Sequence, residues 1–253
     1  MVDSTDAGRG RAARRHALQG ALARLTAPVW VPLGALWLRY GRGYAIEGMR
    51  ASRAFYRRVR EESSAPLLVC ANHLTLVDSM LVAWALAGPA THVVRFRELP
   101  WNIPEARNFA ATLWTRIATY LLKCIPIERG GRREDVAGVL KRVGHLLARG
   151  ETALLFPEGG RSRSGRVEVD SAAWGVGRII AAAPGCRVLC VYLRGEKQET
   201  WSNLPARGDR FHVSVECIEP KSHHRGVRRS RDLARQVVGQ LQRMERRHLG
   251  ASQ

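Results

Sequence analysis

With 253 residues, 45% of them hydrophobic, the chain is long enough to bury a sizeable core in one α/β domain. Its formal net charge of +19 draws it toward polyanions, whether anionic lipid headgroups, an acidic protein or nucleic acid, and no nucleic-acid motif supports the last. The five cysteines, Cys70, Cys124, Cys186, Cys190 and Cys217, form no Cys-x-x-Cys pair, which excludes a zinc module and a disulfide framework and leaves them as small buried hydrophobes.

The amino-terminal segment carries Arg9, Arg11, Arg14, Arg15 and Arg24 ahead of an uncharged stretch at 25–38. Pro28, Pro32 and Gly34 interrupt that stretch, Arg39 and Arg42 follow it, and no small-residue cleavage site is present, so it does not read as a secretion signal. As a helix it is about 21 Å long, short of the roughly 30 Å hydrocarbon layer, which predicts that it does not span. Trp30 and Trp37 between arginines suit a segment lying in the headgroup region. A core-covering helix broken by proline is the alternative.

Beyond it, short apolar runs alternate with helical patterns, the order of an α/β fold. Strands are predicted at 67–70, 92–96, 124–127, 152–156, 187–193 and 211–218. A helix is predicted from Pro104 to Lys123, with Phe109, Leu113, Trp114, Ile117, Tyr120 and Leu121 spread around much of its circumference; burial is expected, and a groove for an acyl chain or a membrane is the other use. Val136, Val139, Leu140, Val143, Leu146 and Leu147 predict a second helix ended by Gly150. Leu233, Val237, Leu241 and Met244 predict a third, whose arginine-rich face suits either solvent or anionic lipid. The expected architecture is a single α/β domain with a central mixed, largely parallel sheet flanked by helices. Residues 44–220 form that domain, 1–43 a membrane-associating segment and 221–253 a basic amphipathic helix.

Three motifs carry chemistry. In Asn72-His73-Leu74-Thr75-Leu76-Val77-Asp78, residues five apart lie about 140° apart on a helix, so His73 and Asp78 meet only if a turn separates a strand end from a helix start. There the carboxylate fixes the imidazole tautomer, and the other ring nitrogen takes a proton. Phe156-Pro157-Glu158-Gly159-Gly160-Arg161-Ser162 places two glycines at a strand end and brings Glu158 and Arg161 to one mouth. Between them, Ile125-Pro126-Ile127-Glu128-Arg129 sets a further charge beside Gly130 and Gly131.

In this order and spacing the three motifs resemble the lysophosphatidic acid acyltransferase family, the glycerolipid acyltransferases, over about 67–193. The resemblance implies transfer of a fatty acyl group from acyl carrier protein or coenzyme A to the hydroxyl of a lysophospholipid, with no metal or prosthetic group. His73 would be the base and Asp78 its orienting partner; Asn72, Arg129, Glu158, Gly159 and Arg161 would bind the acceptor, the arginines at its phosphate. It further implies a monotopic or peripheral protein on the cytoplasmic face, with an anionic membrane surface as partner and no nucleic acid.

Two positions depart from the family pattern. Gly160 stands where threonine is usual, and 188–192 lacks the expected proline. Both leave the base untouched and open the acceptor to other lysolipids, an aminoacyl lipid or a glycolipid among them. A non-catalytic basic membrane-binding protein is the reading from another class.

Overall fold

The computed structural model describes residues 3–109, 112–128 and 130–250. α1 (Asp3–Leu36) runs into one π turn (Trp37–Gly41), followed by β1 (Ala45–Glu47), α2 (Met49–Glu62), β2 (Leu67–Ala71), α3 (Asp78–Leu86) and α4 (Pro89–Val94). Then come β3 (Trp101–Asn102), α5 (Ala106–Phe109), α6 (Leu113–Leu121), α7 (Arg133–Ala148) and β4 (Thr152–Leu155). α8 (Trp174–Ala182), β5 (Arg187–Gly195), β6 (Arg210–Ile218) and α9 (Gly226–Gly250) complete the chain.

The strands form one sheet in the order β1-β6-β5-β2-β4-β3, parallel throughout except for the antiparallel β5–β6 pair. This is the mixed, largely parallel sheet flanked by helices that the sequence predicts. Strand alternation divides the core between its two faces. Leu68 and Cys70 of β2, with Val188, Cys190 and Tyr192 of β5, pack under α7, α8 and α9. Leu67, Val69 and Ala71, with Leu189, Val191 and Leu193, pack under α2 and α3. The chain leaves β2 toward β4 and β3 on one side and later returns to β5 on the other, so the carboxyl end of β2 lies at a topological switch point, where α/β sheets open a crevice.

Four predicted elements need correction. Residues 92–96 are not a strand: α4 covers His92, Val93 and Val94, and Phe96 opens a 3₁₀ turn (Phe96–Glu98). A five-residue apolar run does not separate strand from buried helix, and the signal for helix was Pro89 in the first turn. Residues 124–127 make only isolated parallel bridges, Cys124 with Asn102 and Ile127 with Glu105: Asn102 N donates to Lys123 O and Ala106 N to Ile127 O, but Pro104 between them has no N–H to give Ile125 O. The helix expected from 104 to 123 is two short ones, α5 and α6, the second begun by a capping box of Thr112 and Thr115. Its apolar side chains are not buried either: Leu113, Trp114 and Ile117 are 67%, 79% and 42% exposed.

The fourth correction concerns α1. It is a continuous helix through Pro28 and Pro32, and its apolar part, His16–Gly41, is 26 residues long. At 1.5 Å per residue that is about 39 Å, so the helix is long and apolar enough to cross a membrane, and the length argument from the uncharged stretch alone fails. One face, with Ala23, Ala27 and Val31, packs against Phe96 and Leu99. The opposite face exposes Leu18, Leu22, Leu25, Val29, Leu33 and Leu36.

The α8–α9 crossing depends on Gly177, where a Cβ would lie 1.8 Å from the Ser230 carbonyl oxygen. Gly177→Ala is expected to cost about 1–3 kcal/mol by overpacking, lowering the urea midpoint. Gly144→Ala, in α7 with open space around the added methyl, is expected to raise it by roughly 0.5–1 kcal/mol.

Candidate active site

The carboxyl ends of β2 and β4 are adjacent and in register, with Cys70 beside Leu155, so the segments that follow them meet. Asp78, the first residue of α3, folds its carboxylate back over the preceding turn. Oδ2 lies 3.0 Å from His73 Nδ1 and accepts hydrogen bonds from Leu74 N (2.6 Å) and Thr75 N (2.7 Å). Oδ1 accepts from the Thr75 hydroxyl. The Asp78 side chain is 4% exposed and that of His73 13%. With Nδ1 donating to the carboxylate, Nε2 of His73 is the nitrogen left for a substrate, and among the described residues nothing bonds it. The ring stacks on Phe156 at 3.9 Å between centroids and 12° between planes, which fixes its orientation from the side.

The glycine-rich turn clamps the same histidine through its backbone. His73 N donates to Glu158 Oε1 (3.2 Å), and Ser162 N donates to the His73 carbonyl (2.9 Å). Gly159 takes φ +72°, and a Cβ there would meet the Ala173 Cβ at 3.1 Å, so both its conformation and the space around it call for glycine. Burial pushes the Glu158 carboxyl up to about 8; the carboxylates of Glu245, Glu168 and Asp78 add to this, against the His73 N–H that favours the charged form.

His73 and Arg161 line one cavity of about 290 Å³. Its walls are mostly apolar and reach from Phe156 past Met80, Leu99 and Ile103 to Trp30 of α1 and Leu122 just beyond α6. His73, Asp78, Glu158, Gly159 and Arg161 are therefore brought together at one sheet edge. Asn72 is adjacent but committed elsewhere: its amide donates to Leu193 O (2.9 Å) and accepts from Leu193 N (2.8 Å), tying the end of β2 to β5. Arg129 lies outside the described residues.

Sequence reading missed two groups. Thr75 bonds Asp78 through both its backbone and its hydroxyl, a local pattern that threonine three residues before aspartate could have signalled. The segment Trp201-Ser202-Asn203 lies across both motif loops: Ser202 N donates to Leu74 O (3.0 Å), Leu76 N to Asn203 O (3.1 Å) and Arg161 Nη1 to Ser202 O (3.0 Å). No local pattern announces that role. Among the described residues no group of His, Cys, Asp and Glu is arranged to hold a metal.

A histidine held by a buried carboxylate at the carboxyl ends of parallel strands thus opens, with an arginine, on one mostly apolar cavity. The chain belongs to the Acyltransferase family, whose model matches residues 49–194, from α2 into β5. No curated protein matches the chain. The reaction is thus of the acyltransferase type, with a His–Asp pair in its active region.

Because its carboxyl is raised from 4.5 to about 8, folded Glu158 keeps a proton that the unfolded chain releases across that window. Stability from this group is therefore lost as pH rises from 4.5 toward 8. Glu158→Gln removes the linkage while leaving an oxygen to accept from His73 N. Thermal unfolding is expected to show the variant gaining on the parent protein as pH rises through the window; a difference flat in pH contradicts the assignment.

Proposed function

We propose that the chain transfers a fatty acyl group from an acyl thioester, carried by acyl carrier protein or coenzyme A, to the hydroxyl of a lysophospholipid. The favoured acceptor is 1-acyl-sn-glycerol 3-phosphate, giving phosphatidic acid. The observation that carries this reading is the shared cavity: His73 and Arg161 open on the same apolar space, so a base and a phosphate-binding cation stand at the mouth of a site fit for an acyl chain.

In this mechanism the acceptor oxygen attacks the thioester carbonyl carbon while its proton passes to His73 Nε2, and Asp78 stabilises the resulting imidazolium. The tetrahedral intermediate collapses with cleavage of the carbon–sulfur bond. The imidazolium returns its proton to the departing thiolate, leaving an ester and a free thiol. The thioester is already activated and the acceptor supplies the nucleophile, so no covalent enzyme intermediate is needed. Arg161 binds the phosphate, with Arg129 as its partner by family resemblance, and neutral Glu158 avoids repelling it.

Access is proposed to come from the bilayer. The exposed apolar face of α1 and the exposed Leu113, Trp114 and Ile117 of α6 flank the elements that line the cavity, and Arg24, Arg39 and Arg116 are exposed among them. A monotopic seat on an anionic cytoplasmic surface follows, with apolar side chains in the interface and arginines at the headgroups.

Purified protein is expected to consume acyl thioester only when acceptor is present, and His73→Ala to lower that rate by about 10²–10⁴-fold; an unchanged rate refutes the mechanism. A panel of lysophosphatidate, neutral lysolipids and aminoacyl lysolipids, each with both thioester donors, identifies the acceptor. Trp114→Glu is expected to weaken sedimentation with anionic vesicles by about tenfold or more, the cost of removing one buried aromatic, without changing the melting temperature.

A further inference from the structure

Arg161 does not stand alone at the cavity mouth. Its guanidinium lies over the Trp201 ring, 4.6 Å from the centroid, and Nη1 donates to Ser202 O (3.0 Å) and Asn203 Oδ1 (2.9 Å). Both hydrogen bonds leave from Nη1. Among the described residues the Nε–Nη2 edge, the one that can grip a phosphate through two parallel bonds, is not engaged.

The segment that holds Arg161 is itself held from several sides. Thr200 donates its hydroxyl to Arg163 O (3.0 Å), and Arg194 bridges the two loops by donating to Gly165 O (2.6 Å) and Glu199 O (3.1 Å). Pro205 O accepts from Arg42 Nη2 (2.8 Å) and the Tyr44 hydroxyl (3.0 Å). At Gly165, φ +70°, a Cβ would come within 2.2 Å of Glu199 O, so the glycine-rich loop and this segment approach backbone to backbone. The segment lies past residue 194, where the family match ends.

A solvent-facing arginine ordinarily loses rotamer freedom when it grips a phosphate, and ordering it beforehand removes that cost from the binding step. We propose that Trp201, Ser202 and Asn203 form a positioning segment that pre-orders Arg161 and thereby sets the preference for a phosphate-bearing acceptor over a neutral one. The inference rests on the acyl-transfer reading for its acceptor, and its own claim concerns phosphate binding.

Equilibrium binding of a short-chain 1-acylglycerol 3-phosphate to the full chain separates the two. Trp201→Ala and Asn203→Ala are each expected to weaken binding by about fivefold, the loss of one ring contact or one hydrogen bond to a cation. Binding of a phosphate-free monoacylglycerol should not change, and Trp201→Phe, which keeps a ring face, should retain most of the affinity. In an Arg161→Ala background Trp201→Ala should have no further effect, because it acts only through that guanidinium. In turnover, KM for the phosphate acceptor should rise by the same factor, with kcat within about twofold. Equal weakening toward both lipids, additivity with Arg161→Ala, or no binding of the phosphate probe by the parent protein overturns the proposal. A parent protein that shows the binding pattern but transfers no acyl group overturns the acyl-transfer reading and leaves the positioning role standing.

Discussion

The Asp78 carboxylate is 4% exposed and receives donors from Leu74 N, Thr75 N, the Thr75 hydroxyl and the His73 ring. A carboxylate taken out of water costs several kcal/mol unless donors replace the lost hydration, so this turn closes only in the shape that points all four at it. That shape decides where His73 stands, which of its nitrogens donates and how α3 begins. Asp78 sits in the first turn of α3, where the helix end also favours negative charge. One side chain thus starts a helix, closes a loop and sets a tautomer, and none of the three survives its loss unchanged.

The sheet supplies the rest of the geometry. β2 is hydrogen-bonded to β4 on one side and β5 on the other, and both pairings are parallel, so three strand ends point the same way. The His73 turn therefore meets the Glu158 turn from β4 and, through Asn72, the backbone of Leu193 in β5. Each of these bonds is between groups far apart in the chain, and each depends on the register of a buried strand. A slip of one residue in β2 would exchange its two core faces and carry His73 away from Phe156.

This explains what could be read in the chain and what could not. β2, β4 and β5 are buried along most of their length and spell apolar runs, while β6 is mostly half-buried, with Phe211 and Val213 buried. β1, which shows two exposed residues of three, and β3, two residues long, are edge strands with almost no pattern to read. His73, Asp78, Glu158 and Arg161 were legible because each belongs to a short motif whose spacing implies a turn at a strand end. Trp201 and Asn203 were not, since their relevance arises only when a loop beyond β5 returns across the β2 and β4 ends. The exposure of Leu113, Trp114 and Ile117 ran against the expectation of burial, because composition marks a helix as apolar without saying what covers it.

The same distinction bears on α1, whose apolar length alone would allow it to cross a bilayer. Its inner face also carries polar groups, His16 and Gln19, 7% and 2% exposed. Gln19 donates to Tyr120 O (3.0 Å) and Cys124 O (2.8 Å), and Arg142 donates to His16 Nδ1 and Gln19 Oε1. His16 Nε2 stands 3.6 Å from Glu151, which also accepts from the Trp101 indole and lies 3.7 Å from Lys123 Nζ. Burial alone would raise the Glu151 carboxyl, yet the His16 and Trp101 hydrogen bonds and the Lys123 charge hold it down at about 2. Lys123 is fully buried; burial brings it down to about 7 while Glu151 opposes the shift, and its ammonium donates to Phe96 O (2.6 Å) and Leu99 O (2.7 Å) beside the cavity wall. Pulling α1 off the domain to span a membrane would strand these groups at a cost of about 1–3 kcal/mol for each left unpaired. The helix is therefore tied to its domain along one face while its other, apolar face stays exposed. Trp30 lines, from that helix, the same cavity as His73, which makes α1 and the candidate site parts of one packed unit.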